Sequence, residues 1–245
     1  MLKRIARRIM LPGPPEPDQE HPSPPSPVRW GDLRRLEPKS RTFGMDRGLP
    51  ICRHYIHAFL RRHADDVRGS VLEFGDDTYT RRFGDDRVTR SDVLHATADN
   101  PKATIVADLT AAREIRSDTF DCIICTQTLQ FIFDVRAAAS TLYRILQPGG
   151  VLLATLSGIS PISRYDMDRW GEYWRFTTAS ASRLFEEHWP ESGLTVRAHG
   201  NVVAATAYLQ GLATEELDPR ELTTDDPDYQ IQITVRAVKP ERISP

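Results

Sequence analysis

From residue 70 onward, short apolar runs recur between stretches of helical periodicity. SVLEFG (70–75), VTRSDV (88–93), ATIVADL (103–109), FDCIICTQ (120–127) and VLLATLSG (151–158) predict successive strands, several of them apolar on both faces. Such strands belong to a parallel sheet covered by helices on each side. The clearest crossover helix is DVRAAASTLYRILQPGG, where Asp134 caps the start and Val135, Ala138, Leu142 and Ile145 form one stripe before Pro148-Gly149-Gly150 stops it. Ahead of the first strand, Ile56, Phe59 and Leu60 lie at helical spacing within Ile51 to His63. Beyond the fifth strand, SASRLFEEHW and NVVAATAYLQGLA predict helices, while LTVRAHG and YQIQITVRAV predict strands. Two late strands without a full crossover suggest an antiparallel edge.

The N-terminal part reads differently. MLKRIARRIML sets Lys3, Arg4, Arg7 and Arg8 around Leu2, Ile5, Ile9 and Met10 and lacks the apolar centre of a signal peptide. Two readings stand: a helix docking weakly on a membrane surface or partner, and a frayed tail, since so short a helix is marginal alone. Eight prolines between Pro12 and Pro27 then remove backbone donors and predict a semi-extended linker. RTFGMDRGLP (41–50) reads as an ordered cap or lid. The chain thus divides into a basic tail (1–11), a Pro-rich disordered linker (12–29), an N-terminal cap and helical region (30–69) and a main domain (70–240).

Composition narrows the function classes. The 245 residues suffice for one sizeable domain plus a tail. With 32 basic against 34 acidic side chains there is no global field to attract nucleic acid. No apolar stretch approaches the roughly 20 residues of a membrane span. The three cysteines, Cys52, Cys122 and Cys125, fit a reducing compartment, and the expected location is cytoplasmic. Cys122 and Cys125 are spaced like a C-x-x-C site but lie in a strand, where side chains three apart face opposite ways. No His and Cys spacing suggests structural zinc, and no metal is expected.

In order along the chain, VLEFGDDTYTRRFG, Asp92 near the end of the second strand, ATIVADL, and FDCIICTQTLQFI followed by LYRILQPGGVLLAT resemble the class I S-adenosylmethionine-dependent methyltransferase family, of the type 11 kind. The resemblance covers roughly residues 50 to 240 and is most specific from Phe120 to Thr155. It implies an α/β, Rossmann-like fold: a mostly parallel seven-stranded sheet with an antiparallel edge strand and helices on both faces. It implies S-adenosylmethionine as cofactor, held by Glu73, Gly75, Asp77, Asp92, Asp108, Leu109 and Thr126. In open α/β sheets ligands lie at the carboxyl ends of the strands near the order reversal, where Gly75, Asp92, Asp108 and Thr126 are expected to meet. Asp92 follows Glu73 by 19 residues, close to the spacing at which a carboxylate meets ribose in the analogous dinucleotide fold. Asp108 and Leu109 are candidates for the adenine edge. DRWGEYWRFT resembles a segment of bacterial methyltransferases linked to sugar, cell-surface polysaccharide or secondary-metabolite pathways.

The cofactor loop is atypical. The family pattern acid-x-Gly-x-Gly-x-Gly keeps only its first glycine in Glu73-Phe74-Gly75-Asp76-Asp77-Thr78-Tyr79, so Asp77 and Tyr79 must intrude or be turned aside. Two functions therefore compete. One is a methyltransferase acting on a hydroxyl of a small molecule, secondary metabolite or glycan. The other is a binding or regulatory protein on the same scaffold, or an enzyme of a non-methylating rearrangement or cyclisation.

Methyl transfer is an in-line displacement for which placement supplies much of the acceleration, with a general base for an oxygen acceptor. Asp166, Asp168 and His57 are the candidate bases; His54 shares the helix of His57. Gln127, Tyr165, Trp170, Tyr173 and Trp174 are candidate substrate contacts, the aromatics as stacking platforms for a sugar or ring. A packed lid would carry the same aromatics. Asp166-Met167-Asp168 also matches the acid-x-acid pattern of metal-dependent glycosyltransferases, a short match with no other sign of that fold.

Overall fold

The strands that the apolar runs predict assemble into one seven-stranded sheet. In chain order these are β1 (Gly69–Phe74), β2 (Val88–His95), β3 (Ile105–Val106), β4 (Phe120–Thr126), β5 (Leu146–Ser157), β6 (Leu194–His199) and β7 (Gln232–Val238). They lie side by side as β3-β2-β1-β4-β5-β7-β6. The first five are parallel, and β7 runs antiparallel to both β5 and β6 at one end of the sheet. This computed structural model describes residue 31 and residues 34–242, so the tail (1–11) and the linker (12–29) lie outside the described residues. All elements below lie in the unit Glu37–Pro245.

Seven helices accompany the sheet among the described residues: α1 (Ile51–Arg62), α2 (Thr78–Gly84), α3 (Val135–Ile145), α4 (Arg164–Met167), α5 (Thr178–Phe185), α6 (Val202–Leu209) and α7 (Pro219–Thr223). Asp134 caps α3 by accepting from the Ala137 N–H at 3.1 Å, as its place ahead of the apolar stripe predicts. Helices α3 and α5 cover one face of the sheet through Ala138, Leu142, Ile145, Ala181 and Phe185, with Trp189 sealing the edge. Helices α1 and α2 cover the other through Ile56, Phe59, Leu60, Tyr79 and Phe83. Alternation along β4 splits its cysteines between these layers, Cys125 with α3 and Cys122 with α1, so the two thiols cannot converge.

Two boundaries differ from the sequence pattern. Strand β5 starts at Leu146, directly after α3, and carries Pro148-Gly149-Gly150 within it. Strand β3 shrinks to two residues, because beyond Ala107 the Asp108 side chain accepts from the Thr110 N–H at 2.9 Å and turns the chain at an edge where only β2 supplies a ladder.

The segment 41–50, read as a cap or lid, forms with residues 39 and 40 a strap of turns fastened to the end of α6. The Lys39 and Ser40 N–H groups both donate to Gln210 O (2.7 and 3.2 Å), and the Thr214 N–H donates to Leu49 O at 2.9 Å. Gly211 (φ +70°) permits the approach: a Cβ there would lie 2.3 Å from Ser40 O.

Candidate functional site

A cleft of about 710 Å³ opens at the carboxyl ends of β1 and β4, where the strand order reverses. The loop after β1, the turn after β4, the segment 157–172 after β5, the strap and α1 together form its walls.

Glu73, next to last in β1, is a carboxylate only 2% exposed, and it anchors the loop. Its Oε1 accepts from the Tyr79 N–H (3.1 Å), and its Oε2 accepts from the Thr80 N–H and Oγ1 (both 2.7 Å). These are first-turn donors of α2, otherwise unpaired, so Glu73 caps the helix from the preceding strand. Burial pushes its pKa up to about 7 against these stabilising hydrogen bonds. Gly75 follows with φ +82°, and a Cβ built on it would meet nothing within 4 Å, so its exposed face lets a ligand approach the backbone.

Of the residues in place of the missing glycines, Asp77 is turned aside and Tyr79 forms part of the cleft wall. Asp77 has φ −108°, which any residue adopts, and pairs with Arg81 at 2.5 Å away from the cleft. Tyr79 enters α2 with its ring between His57 and Phe83, and its hydroxyl accepts from Arg53 Nη1 at 3.2 Å. Asp76 lines the cleft. Burial raises its pKa, but the Thr78 hydrogen bonds and the Lys102 ammonium at 3.4 Å outweigh that and hold it low.

At the end of β4, Thr126 lines the cleft and Gln127 turns the chain with φ +50°, a conformation that costs energy outside glycine. Gln127 is held by a chain of amides: its Oε1 accepts from Gln130 Nε2 (2.7 Å) and its Nε2 donates to Gln232 Oε1 (2.6 Å). Gln130, 2% exposed, also lines the cleft, and its Oε1 is buried without a partner among the described residues. On the far wall, Asp166 Oδ2 accepts from Ser163 Oγ at 2.6 Å, and Tyr165 stands under the Arg169 guanidinium. The buried Glu172 pairs with Arg175 at 2.7 Å. Deeper in, Tyr208 carries a pKa raised by burial and by neighbouring Cys52, so its hydroxyl stays protonated.

The structure thus brings together Glu73, Gly75, Thr126, Gln127, Tyr165 and Asp166 of the expected residues, and leaves the others elsewhere. Asp92 lies inside β2 opposite Leu72, three residues short of the strand end at His95, with its carboxylate on Arg90 (2.7 Å) and Thr104 Oγ1 (2.9 Å). Asp108 is spent on its own turn, and Leu109 is core. His57 is wedged between Tyr79 and Phe83, where burial and the Arg82 guanidinium depress its pKa to about 4, leaving it a weak base outside the cleft. Asp168 pairs outward with Arg164 at 3.0 Å. Trp170 packs edge-on against His95, 5.7 Å between ring centres, over the end of β2. Tyr173 and Trp174 bind Gln130 O through their N–H groups, which turns both rings outward onto Phe133. Arg53, Asp76, Gln130 and Tyr208 were missed. Gln130 was within reach, three residues after Gln127 in the turn that follows β4.

Among the described residues no group of His, Cys, Asp and Glu gathers as metal ligands, and no helix is long and apolar enough to cross a membrane.

Comparison with known proteins agrees with this architecture. Residues 79–154 match the methyltransferase domain family. The crystal structure of an S-adenosylmethionine-dependent methyltransferase from Archaeoglobus fulgidus superposes with a TM-score of 0.51 at 10% identity, over 76% of this chain and 94% of that one. A phosphoethanolamine N-methyltransferase from Haemonchus contortus, solved with phosphomonomethylethanolamine and S-adenosylhomocysteine, superposes with a TM-score of 0.50 at 15% identity, over 77% of this chain and 53% of that one. At such identities the likeness establishes the fold. No curated protein matches the chain.

Proposed function

We propose that this chain, whose residues 79–154 belong to the methyltransferase domain family within a class I methyltransferase fold, binds S-adenosylmethionine and methylates a hydroxyl of a small molecule, secondary metabolite or glycan in the cytoplasm. The observation that carries the proposal is the loop Glu73–Tyr79. Its one retained glycine presents an open backbone face to the cleft, and the two replaced positions need no glycine because neither has a left-handed backbone.

The residues present fit the methionine half of the cofactor. Gly75 admits close approach, and Arg53, tied to the loop through Tyr79 and without an acidic partner among the described residues, suits the carboxylate. Asp76 takes the place expected of Asp92 on the ribose side, since it lines the cleft and reaches Lys102 beyond β2. The cofactor supplies an electrophilic methyl group. The chain's own residues place the acceptor beside it, shield it from water, and receive the hydroxyl proton at Asp166, a carboxylate on the cleft wall whose proposed role is general base. Gln130, which lines the cleft, donates from Nε2 to Gln127 Oε1 and so fixes the turn after β4 beside the place proposed for the acceptor.

The displacement of Asp92 and the seat of Trp170 on His95 favour one alternative, a binding protein that has lost the ribose side of the site. Transfer of label from methyl-tritiated S-adenosylmethionine decides between them. Label entering a hydroxyl-bearing small-molecule or glycan fraction supports the enzyme. Retained S-adenosylhomocysteine binding with no incorporation into any fraction supports the binding protein.

A further inference from the structure

The charge on the cleft walls is unevenly spent. Glu73 is held by three donors of α2, Asp76 by Thr78 and Lys102, and Glu172 by Arg175 and the Ser163 N–H. Arg41 and Arg53 line the same cleft, and neither has an acidic partner among the described residues. Arg53 stands beside the cofactor loop through its 3.2 Å contact with Tyr79. Arg41 stands on the strap, away from that loop in the sequence and in its fastenings. The acid nearest to it in the strap, Asp46, is engaged by the hydroxyls of Ser40 and Thr42 instead.

The strap itself is built to hold a position. Besides the main-chain bonds to Gln210 and from Thr214, Arg47 pairs with Glu216 and the Leu49 N–H donates to Glu215 (3.0 Å). Gly44, with φ +85°, sits so close to the α6 end that a Cβ would lie 2.7 Å from Leu212 O. Phe43 packs on Tyr208, ring centres 6.1 Å apart, at the cleft floor. A short irregular segment fixed at both ends and at its middle delivers one uncompensated guanidinium to the mouth of the cleft. A planar guanidinium with free donors suits a carboxylate or phosphate, which it meets with two parallel hydrogen bonds.

We infer that Arg41 binds an oxyanion group of the methyl acceptor, so that the substrate is an anionic small molecule carrying a carboxylate or a phosphate. The inference rests on the cleft being the methyltransferase site, with Arg53 committed to the cofactor. Arg41 then selects the acceptor by charge while Asp166 meets its reacting hydroxyl.

Calorimetric titration of the full chain saturated with S-adenosylhomocysteine tests this, using benzoate against benzamide and phenyl phosphate against phenol. The charged member of at least one pair is expected to bind about tenfold tighter than its neutral analogue. Arg41→Gln abolishes that preference and leaves S-adenosylhomocysteine affinity unchanged, while Arg41→Lys keeps part of it. Which pair shows the preference tells carboxylate from phosphate. Equal binding of charged and neutral members, no heat from any of the four, or a preference that survives in Arg41→Gln overturns the inference. Absence of S-adenosylhomocysteine binding to the unaltered chain sinks the cofactor assignment instead; the same four titrations without it then decide the role of Arg41 separately.

Discussion

Replacing Glu73 by glutamine separates two consequences of burying a carboxylate under a helix. In the folded chain burial raises its pKa to about 7 from an ordinary 4.5, so the native state holds the proton more tightly than the unfolded one. For an acid shifted upward, the associated stability is fully present below pH 4.5 and is lost as the pH rises through 7. At about 1.4 kcal/mol per decade, that interval corresponds to about 3 kcal/mol. The amide of Glu73→Gln does not titrate, and it turns an NH₂ group towards N–H donors of Tyr79 or Thr80, at a cost of about 1 to 3 kcal/mol. Urea unfolding of both proteins from pH 4 to 8 isolates the effect. The stability of the parent minus that of the variant should fall by about 3 kcal/mol across the range. A flat difference, or one that grows with pH, would refute the argument, since it would mean that the three hydrogen bonds outweigh desolvation.

Four other outcomes follow from the same geometry. Asp77→Gly should not tighten S-adenosylhomocysteine binding, because Asp77 needs no glycine torsion; a gain of tenfold or so in calorimetry would contradict this. Tyr79→Gly should cost about 3 to 5 kcal/mol in a denaturant titration, by removing a buried ring from between α1 and α2. Asp166→Asn should slow methyl transfer by about 10² to 10⁴ with cofactor affinity unchanged; a rate equal to the parent's would exclude Asp166 as base. Gly211→Ala should lower the melting temperature by about 4 to 8 °C as its Cβ meets Ser40 O, and a shift below one degree would show that the strap is loosely held.

The framework was legible because its signal is repeated. Apolar runs in β1, β4 and β5 are buried on both faces, and period two in β4 already placed Cys122 and Cys125 in opposite layers. Spacing was a poorer guide to the site. Counting from Glu73 reached the correct strand with Asp92, but β2 continues to His95, and three residues decide whether a side chain lies in the ladder or at its end. Likewise DRWGEYWRFT was placed after β5 by pattern, whereas the outward turn of Tyr173 and Trp174 depends on main-chain bonds to Gln130, which no local pattern encodes. Arg53 and Arg41 were invisible for a related reason. Each is one arginine among many until the fold shows which of them face a cleft without an acid beside them.

The central claim is that a loop with one glycine still holds S-adenosylmethionine. Melting of the full chain with and without saturating S-adenosylmethionine and S-adenosylhomocysteine tests it most directly. Ligand at about 100 times its dissociation constant adds about 2.7 kcal/mol, which for a chain of this size raises the melting temperature by about 5 to 10 °C. That rise is the expected result. An unchanged melting temperature with both ligands at millimolar concentration would contradict the account and leave a methyltransferase fold without its cofactor.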